Sequence, residues 1–391
     1  MGIPRFRSYS GPAILSYGFR PFFLLGSVYA GLSILFWLPA NSGQVETFSA
    51  FAPVDWHIHE MLFGYLAAII AGFLLTAIPN WTGRLPVLGP PLLGLVLLWV
   101  AGRFAVFFSA SIGWQAAAVI DISFFAALAA TAAREIVSGR NWRNLKVLIP
   151  LAVLFVANFC FHLEAHMNGA SDISRRLGLT AGILLIMIIG GRIIPSFTRN
   201  WLARENPGRL PAPFDRFDAA AIAVSAAALL AWCCFPQNAA TAIALASAAA
   251  LQALRLARWA GDRTLKDPLV LVLHLAYAFV PTGFVLIALS ILLPGTVPTA
   301  AGFHALGGGA IGAMTLSVMA RATLGHTGRR LKAGYGTLFI FAAILAAAVI
   351  RIAAAFATNA LLIEFAGAAW AVAFLGFAAV YGPALIRPRL A

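Results

Sequence analysis

Twelve apolar stretches, each close to the 20 residues an α-helix needs to cross roughly 30 Å of hydrocarbon, fill most of this chain of 391 residues. They run near 17–38, 57–78, 88–108, 113–133, 145–166, 174–194, 217–235, 238–259, 268–292, 298–323, 334–356 and 360–386. Long, uninterrupted runs rich in Ala and Leu predict helices, because lipid offers no hydrogen-bond partner to an open strand edge. The expected fold class is all-α: a polytopic integral membrane protein with about 12 transmembrane helices. Charged residues make up 10% of the chain, against roughly 25% in a soluble domain, which excludes a soluble globular fold. The start, with Pro4, Arg5 and Arg7, leads into the first apolar run without a small-residue cleavage site and is read as a retained first helix.

The basic residues orient the spans. Arg5, Arg7 and Arg20 lead; Arg84 follows the second span; Arg134, Arg140, Arg143 and Lys146 follow the fourth; Arg192, Arg199, Arg204, Arg209 and Arg216 surround the loop after the sixth. Arg255, Arg258, Arg263 and Lys266 come next on this side, then Arg321, Arg329, Arg330 and Lys332, and finally Arg387 and Arg389. These are 23 of the 27 basic residues, and the positive-inside rule places them, with both termini, in the cytoplasm. The opposite connections, around Ser42, Ser111, Met167, Pro236, Thr296 and Thr358, are then external. This asymmetry accounts for a net charge of +14, so no nucleic-acid partner is expected. Cys160, Cys233 and Cys234 lack paired spacing and predict no disulfide framework.

Four arginines break the pattern. Arg103, Arg175, Arg176 and Arg351 fall near the outer ends of the third, sixth and eleventh spans, in the company of Asp55, Glu60, Glu164, Asp172 and Glu364. Charges at such depth need partners, and they either pair among themselves or hold an anionic ligand.

The chain also resembles itself. At a constant offset of 245, His59 falls on His304, Gly64 on Gly309 and Thr82-Gly83-Arg84 on Thr327-Gly328-Arg329. A fainter middle copy sets Ile78-Pro79-Asn80-Trp81-Thr82 beside Ile194-Pro195-Ser196-Phe197-Thr198, with Arg175 opposite His59. Three four-helix repeats follow, with boundaries 1–144, 145–267 and 268–391, inside one membrane domain. Transporters more often join two six-helix halves.

All seven histidines lie in or at the ends of spans. His57, His59, His162, His166 and His304 belong to the outer side, whereas His274 and His326 lie toward the cytoplasm. At 1.5 Å per residue, His304 and His326 are about 33 Å apart on one straight helix and cannot share a centre. His162 and His166 share a helix face, as two imidazoles on one metal would. His57 and His59 are about 200° apart if helical, and could chelate one ion only if extended. Imidazole suits copper, iron and zinc. Glu60 and Glu164 could orient imidazoles or move protons, and Asp121, mid-span in the fourth helix, is a proton-path residue or an ion-pair partner.

Trp56-His57-Ile58-His59-Glu60-Met61-Leu62-Phe63-Gly64, Ile78-Pro79-Asn80-Trp81-Thr82-Gly83-Arg84, Gly190-Gly191-Arg192-Ile193-Ile194-Pro195 with Thr198-Arg199-Asn200-Trp201, and Gly325-His326-Thr327-Gly328-Arg329 occur in order. In these motifs the chain resembles the NnrS family, from about Tyr17 to past Arg329. That resemblance implies a bacterial inner-membrane protein containing haem and copper, associated with denitrification and resistance to nitric oxide. His57, His59, His162, His274, His304 and His326 are the histidines in family-like motifs; His166 is the least typical. The implied activity is reduction of nitric oxide to nitrous oxide at an outer-facing haem-copper centre, with His57, His59, His162 and His304 as ligands. His274 and His326 would hold a second haem b that delivers electrons from a donor such as quinol. Arg103, Arg175, Arg176 and Arg351 would then contact haem propionates. A non-catalytic nitric oxide binder and a proton-coupled twelve-helix transporter are the alternatives.

Overall fold

The computed structural model describes residues 9–357 and 359–390; Arg5, Arg7 and Thr358, used above for orientation, lie outside the described residues. The described residues are helices and connections without a strand. Twelve helices are long and apolar enough to cross a membrane: α1 Phe19–Asn41, α2 Pro53–Thr82, α3 Pro90–Phe107, α4 Trp114–Ser138, α5 Trp142–Asn168, α6 Ile173–Glu205, α7 Arg216–Cys234, α8 Ala239–Arg263, α9 Pro268–Leu292, α10 Thr299–His326, α11 Tyr335–Phe356 and α12 Ala360–Ile386. Every expected span is present. None of the three cysteines forms a disulfide.

Local sequence sets the ends. Asp215, Asn238 and Asp267 cap α7, α8 and α9 by accepting from Asp218 N (3.2 Å), Ala240 N (2.8 Å) and Leu269 N (3.0 Å), which satisfies donors that a helix start leaves open. Gly83 ends α2 at φ 73°, a left-handed conformation that suits glycine. Two helices run further than their apolar cores. The start of α2 at Pro53 places both His57 and His59 on a helix, which decides between the helical and extended alternatives. Likewise α6 continues to Glu205, so Arg192, Arg199 and Arg204 are helical.

Three spans contain π-helical segments: Glu60–Tyr65 in α2, Ile186–Gly190 in α6 and Ala305–Ala313 in α10. Such wide turns rotate the following residues and displace hydrogen bonds of the regular ladder, and they recur at functional sites.

The chain forms two compact units. The first comprises 1–178, 323–329 and 377–391. Its α1 to α5 pack around buried Phe19, Phe22, Phe23, Phe63, Phe124, Phe125 and Phe161. The second comprises 179–322 and 330–376, with Trp232, Trp259 and Tyr277 fully buried. Arg255, expected among loop charges, is instead wholly inside this unit. Its Nε donates to Asp218 Oδ1 (2.8 Å) and its Nη1 to Tyr277 Oη (2.9 Å) and to Met187 O (2.9 Å) in the π segment of α6. A charge there is tolerated because an acid and two further oxygens surround it.

Candidate metal centre

Five helices of the first unit each send polar side chains to one buried point. His59 and Glu60 sit where the π segment of α2 begins, and both are fully buried. Arg103 comes from α3, Asp121 from α4, Asn158 and His162 from α5, and Tyr29 from α1. His59 Nδ1 lies 2.8 Å from Glu60 Oε1, and its Nε2 lies 2.9 Å from Asn158 Oδ1 and 3.2 Å from Asp121 Oδ2. His162 Nε2 approaches the same Asp121 oxygen at 3.2 Å, and Asn158 Nδ2 donates to it at 2.8 Å. Arg103 bridges the two acids, donating to Glu60 Oε2 through Nη1 and to Asp121 Oδ1 through Nη2, while Tyr29 Oη donates to Glu60 Oε2.

His59, Asp121 and His162 are the one group of three potential metal ligands found among the described residues, with ligand atoms within 4.8 Å of one another. Two carboxylates face one guanidinium, and both ring nitrogens of His59 face oxygen acceptors, so a protonated His59 balances the second acid; a cation bound at Nε2 would take the place of that proton. Aromatic rings enclose the point: Phe51, Phe63 and Phe161 have centroids 5.1, 5.3 and 5.2 Å from that of His59. Water is thereby kept away, and electrostatic interactions gain strength.

The other sequence candidates of this unit lie elsewhere. His57 stacks on Trp37, centroids 4.4 Å apart, and points away from His59 as helical spacing requires. His166 is exposed and stacks on Trp114 at 4.5 Å, so sharing a face with His162 does not bring it to the same point. Glu164 accepts from Ile173 N (2.9 Å), Ser174 N (3.0 Å) and Ser174 Oγ (2.5 Å), thereby holding the start of α6. Arg175 and Arg176 pair with Asp172 at 3.0 and 2.6 Å. His326, at the far end of α10, lies against Tyr17 and Phe19, with centroids 6.0 and 5.4 Å away.

The second unit holds His274, His304 and Arg351. Thr198 Oγ1 donates to Ile194 O (2.8 Å) and lies 2.8 Å from His274 Nε2, so the ring donates through Nε2. His274 Nδ1 is buried, without a hydrogen-bond partner among the described residues, beside Gly261, where a Cβ would come within 2.6 Å of it. His304 immediately precedes the π segment of α10, and one turn on, Gly307 and Gly308 would carry Cβ atoms into open space. Arg351 is half-buried on α11.

Sequence reasoning missed Asn158 and Tyr29. Asn158 had a readable signal: an amide within an apolar span, one turn before His162 on the same face. Tyr29 had none, because a tyrosine in an apolar helix is as compatible with ordinary packing.

Over residues 13–389 the chain matches the family described as NnrS protein. Among curated proteins, none matches the chain.

Proposed function

Because the chain belongs to the NnrS family, whose membrane proteins are linked to the nitric oxide response, we propose that it binds nitric oxide at a metal centre of the first unit and reduces it to nitrous oxide. The observation that carries this reading is the convergence of His59, Asp121 and His162 on one buried point. The donor set fits copper, with an imidazole nitrogen from each histidine and a carboxylate oxygen from Asp121. Glu60 behind His59 Nδ1 is the kind of partner that fixes a metal-bound imidazole in orientation.

Haem b is assigned to the second unit by the same reading. His304 stands one turn from the side-chain-free surface of Gly307 and Gly308, which leaves room for a flat macrocycle. His274, held through Nε2, is the candidate ligand of a second haem in this unit, through an Nδ1 that has no hydrogen-bond partner among the described residues; His326, in the first unit, is kept as a separate candidate ligand. When bound, these groups supply redox electrons, drawn from a donor such as quinol, and positive charge at the reacting oxygen. Two nitric oxide molecules, two electrons and two protons give one nitrous oxide and one water.

The protein's own share is positioning and proton handling. Tyr29 Oη–H and His59 Nδ1 both contact the Glu60 carboxylate, so one acid links two proton-bearing groups. Arg103 holds Glu60 and Asp121 at fixed separation. The phenylalanine enclosure favours a small neutral ligand that arrives through lipid over a charged solute, which speaks against the transporter. We further place the protein in a bacterial inner membrane with both termini cytoplasmic. The match between the first and third repeats is supported by π segments that start on the residues after His59 and His304.

The test is a reduced-minus-oxidised visible spectrum of detergent-purified protein with iron and copper analysis, before and after anaerobic nitric oxide, followed by nitrous oxide measurement. The expected result is a nitric-oxide-responsive haem band, with copper lost in His59→Ala and His162→Ala. Metals without nitrous oxide would leave a binding protein. A colourless protein free of iron and copper would refute the metal reading.

A further inference from the structure

Arg321, on α10 in the second unit, is 9% exposed. Its guanidinium lies 4.2 Å from the centroid of Phe197 on α6. Stacking of this kind uses the face of the cation and leaves its in-plane N–H donors unspent. Nη1 is buried and has no hydrogen-bond partner among the described residues. The two charges that act on it oppose each other: Asp267 attracts it through space and Arg204 repels it. Asp267 is a weak counter-ion, because its Oδ1 accepts from Leu269 N at the start of α9 (3.0 Å) and burial pushes its carboxyl up. A buried guanidinium with unspent donors is costly unless something outside the chain satisfies it.

Three other buried arginines each have oxygen acceptors, although Arg103 Nε and Arg255 Nη2 are, like Arg321 Nη1, without a hydrogen-bond partner among the described residues. Arg103 has two carboxylates, Arg255 has Asp218 and two further oxygens, and Arg20 donates to Leu385 O (2.8 Å) and Arg387 O (2.6 Å). Arg321 has an aromatic face and, among the described residues, no oxygen partner. It also stands five residues before His326 at the end of α10, about 7.5 Å along the helix axis. That depth, on the side where the basic residues gather, is where lipid phosphates meet the ends of spanning helices.

We infer that Arg321 anchors a binding site for a phosphate-type oxyanion, which answers the guanidinium's unpartnered charge and is presented by a phospholipid headgroup or a free ion. Arg204 adds to the positive field, and Phe197 holds the guanidinium plane in a fixed orientation for the anion. The site is built from residues of the second unit and shares none with the group of His59, Asp121 and His162.

The test uses the full-length protein purified with its native cofactors. Thermal stability and native mass spectra are recorded in nanodiscs of phosphatidylcholine alone, in nanodiscs containing phosphatidylglycerol, and in phosphatidylcholine with millimolar inorganic phosphate. Stabilisation and retained adducts with phosphatidylglycerol identify the lipid as the source; the same with inorganic phosphate identifies a free ion. In either case Arg321→Met weakens the response at least tenfold, and Arg321→Lys retains part of it. Without anion, Arg321→Met is as stable as wild type or more so, because it removes an unsatisfied charge. Loss of stability in that variant without anion would show that Arg321 serves an internal partner and would overturn the inference. An anion response equal to that of wild type, or no response of wild type to either anion, would overturn it as well.

Discussion

Gly102 brings α3 against Asp121 of α4: a Cβ built on Gly102 would lie 3.0 Å from Asp121 Oδ1 and 3.3 Å from Asp121 Cα. The neighbouring Arg103 reaches Asp121 across this close approach. Gly102→Val therefore wedges the helices apart at the point where the acid is held, an overpacking worth about 1–3 kcal/mol. The variant should have a lower melting temperature and, with copper bound as proposed, retain less of it in the same preparation. Unchanged stability and metal content would show that the helices are not pressed together there.

Asp121→Asn removes a charge that Arg103 and both histidines address. Breaking a buried ion pair from one side costs about 3–5 kcal/mol, softened here because Glu60 still faces Arg103. The double variant Asp121→Asn, Arg103→Gln should recover part of that loss, and a double-mutant cycle on thermal unfolding reads the coupling. Strict additivity would mean that the pair is not coupled.

Arg20, on α1, holds the end of α12 through the carbonyls of Ala384 (3.4 Å), Leu385 (2.8 Å) and Arg387 (2.6 Å). Hydrogen bonds to a charged group contribute about 1.5–3 kcal/mol. Arg20→Met should loosen the last turn and make the chain after Leu385 more sensitive to limited proteolysis, while the spectrum of the proposed metal centre stays the same. Equal cleavage rates in the two proteins would argue against this tether.

Asp172 supplies the pH-dependent term that can be predicted outside the spans. Burial by itself raises its carboxyl, but hydrogen bonds and charge from Arg176 and Arg175 outweigh it and hold the group below its ordinary value. A depressed carboxylate contributes stability above the unfolded value near 3.9, and that contribution is lost as pH falls through the folded value. The side chain is 53% exposed, so screening keeps the contribution within about 1 kcal/mol. Asp172→Asn should melt slightly lower than wild type at pH 7, with the gap closing as pH falls below 4. A gap that widened in acid would reverse the sign of the argument.

The sequence by itself determined the class of fold and most of the residues that matter. Lipid demands apolar runs of fixed length, so twelve spans could be read directly, and it penalises polar side chains, so His59, Glu60, Arg103, Asp121 and His162 stood out against their surroundings. Only the tertiary structure decided which of them meet. In a membrane both the packed face and the lipid face of a helix are apolar, so periodicity does not reveal which side turns inward. That is why His166 could be grouped with His162 although it stacks on Trp114, why Asn158 and Tyr29 went unnoticed, and why Arg255 was counted with the loops although it is sealed beside Asp218. The rotation of each helix is set by contacts between residues far apart in the chain, such as Gly102 against Asp121, and by the π turn after His59, and neither is encoded in local spacing.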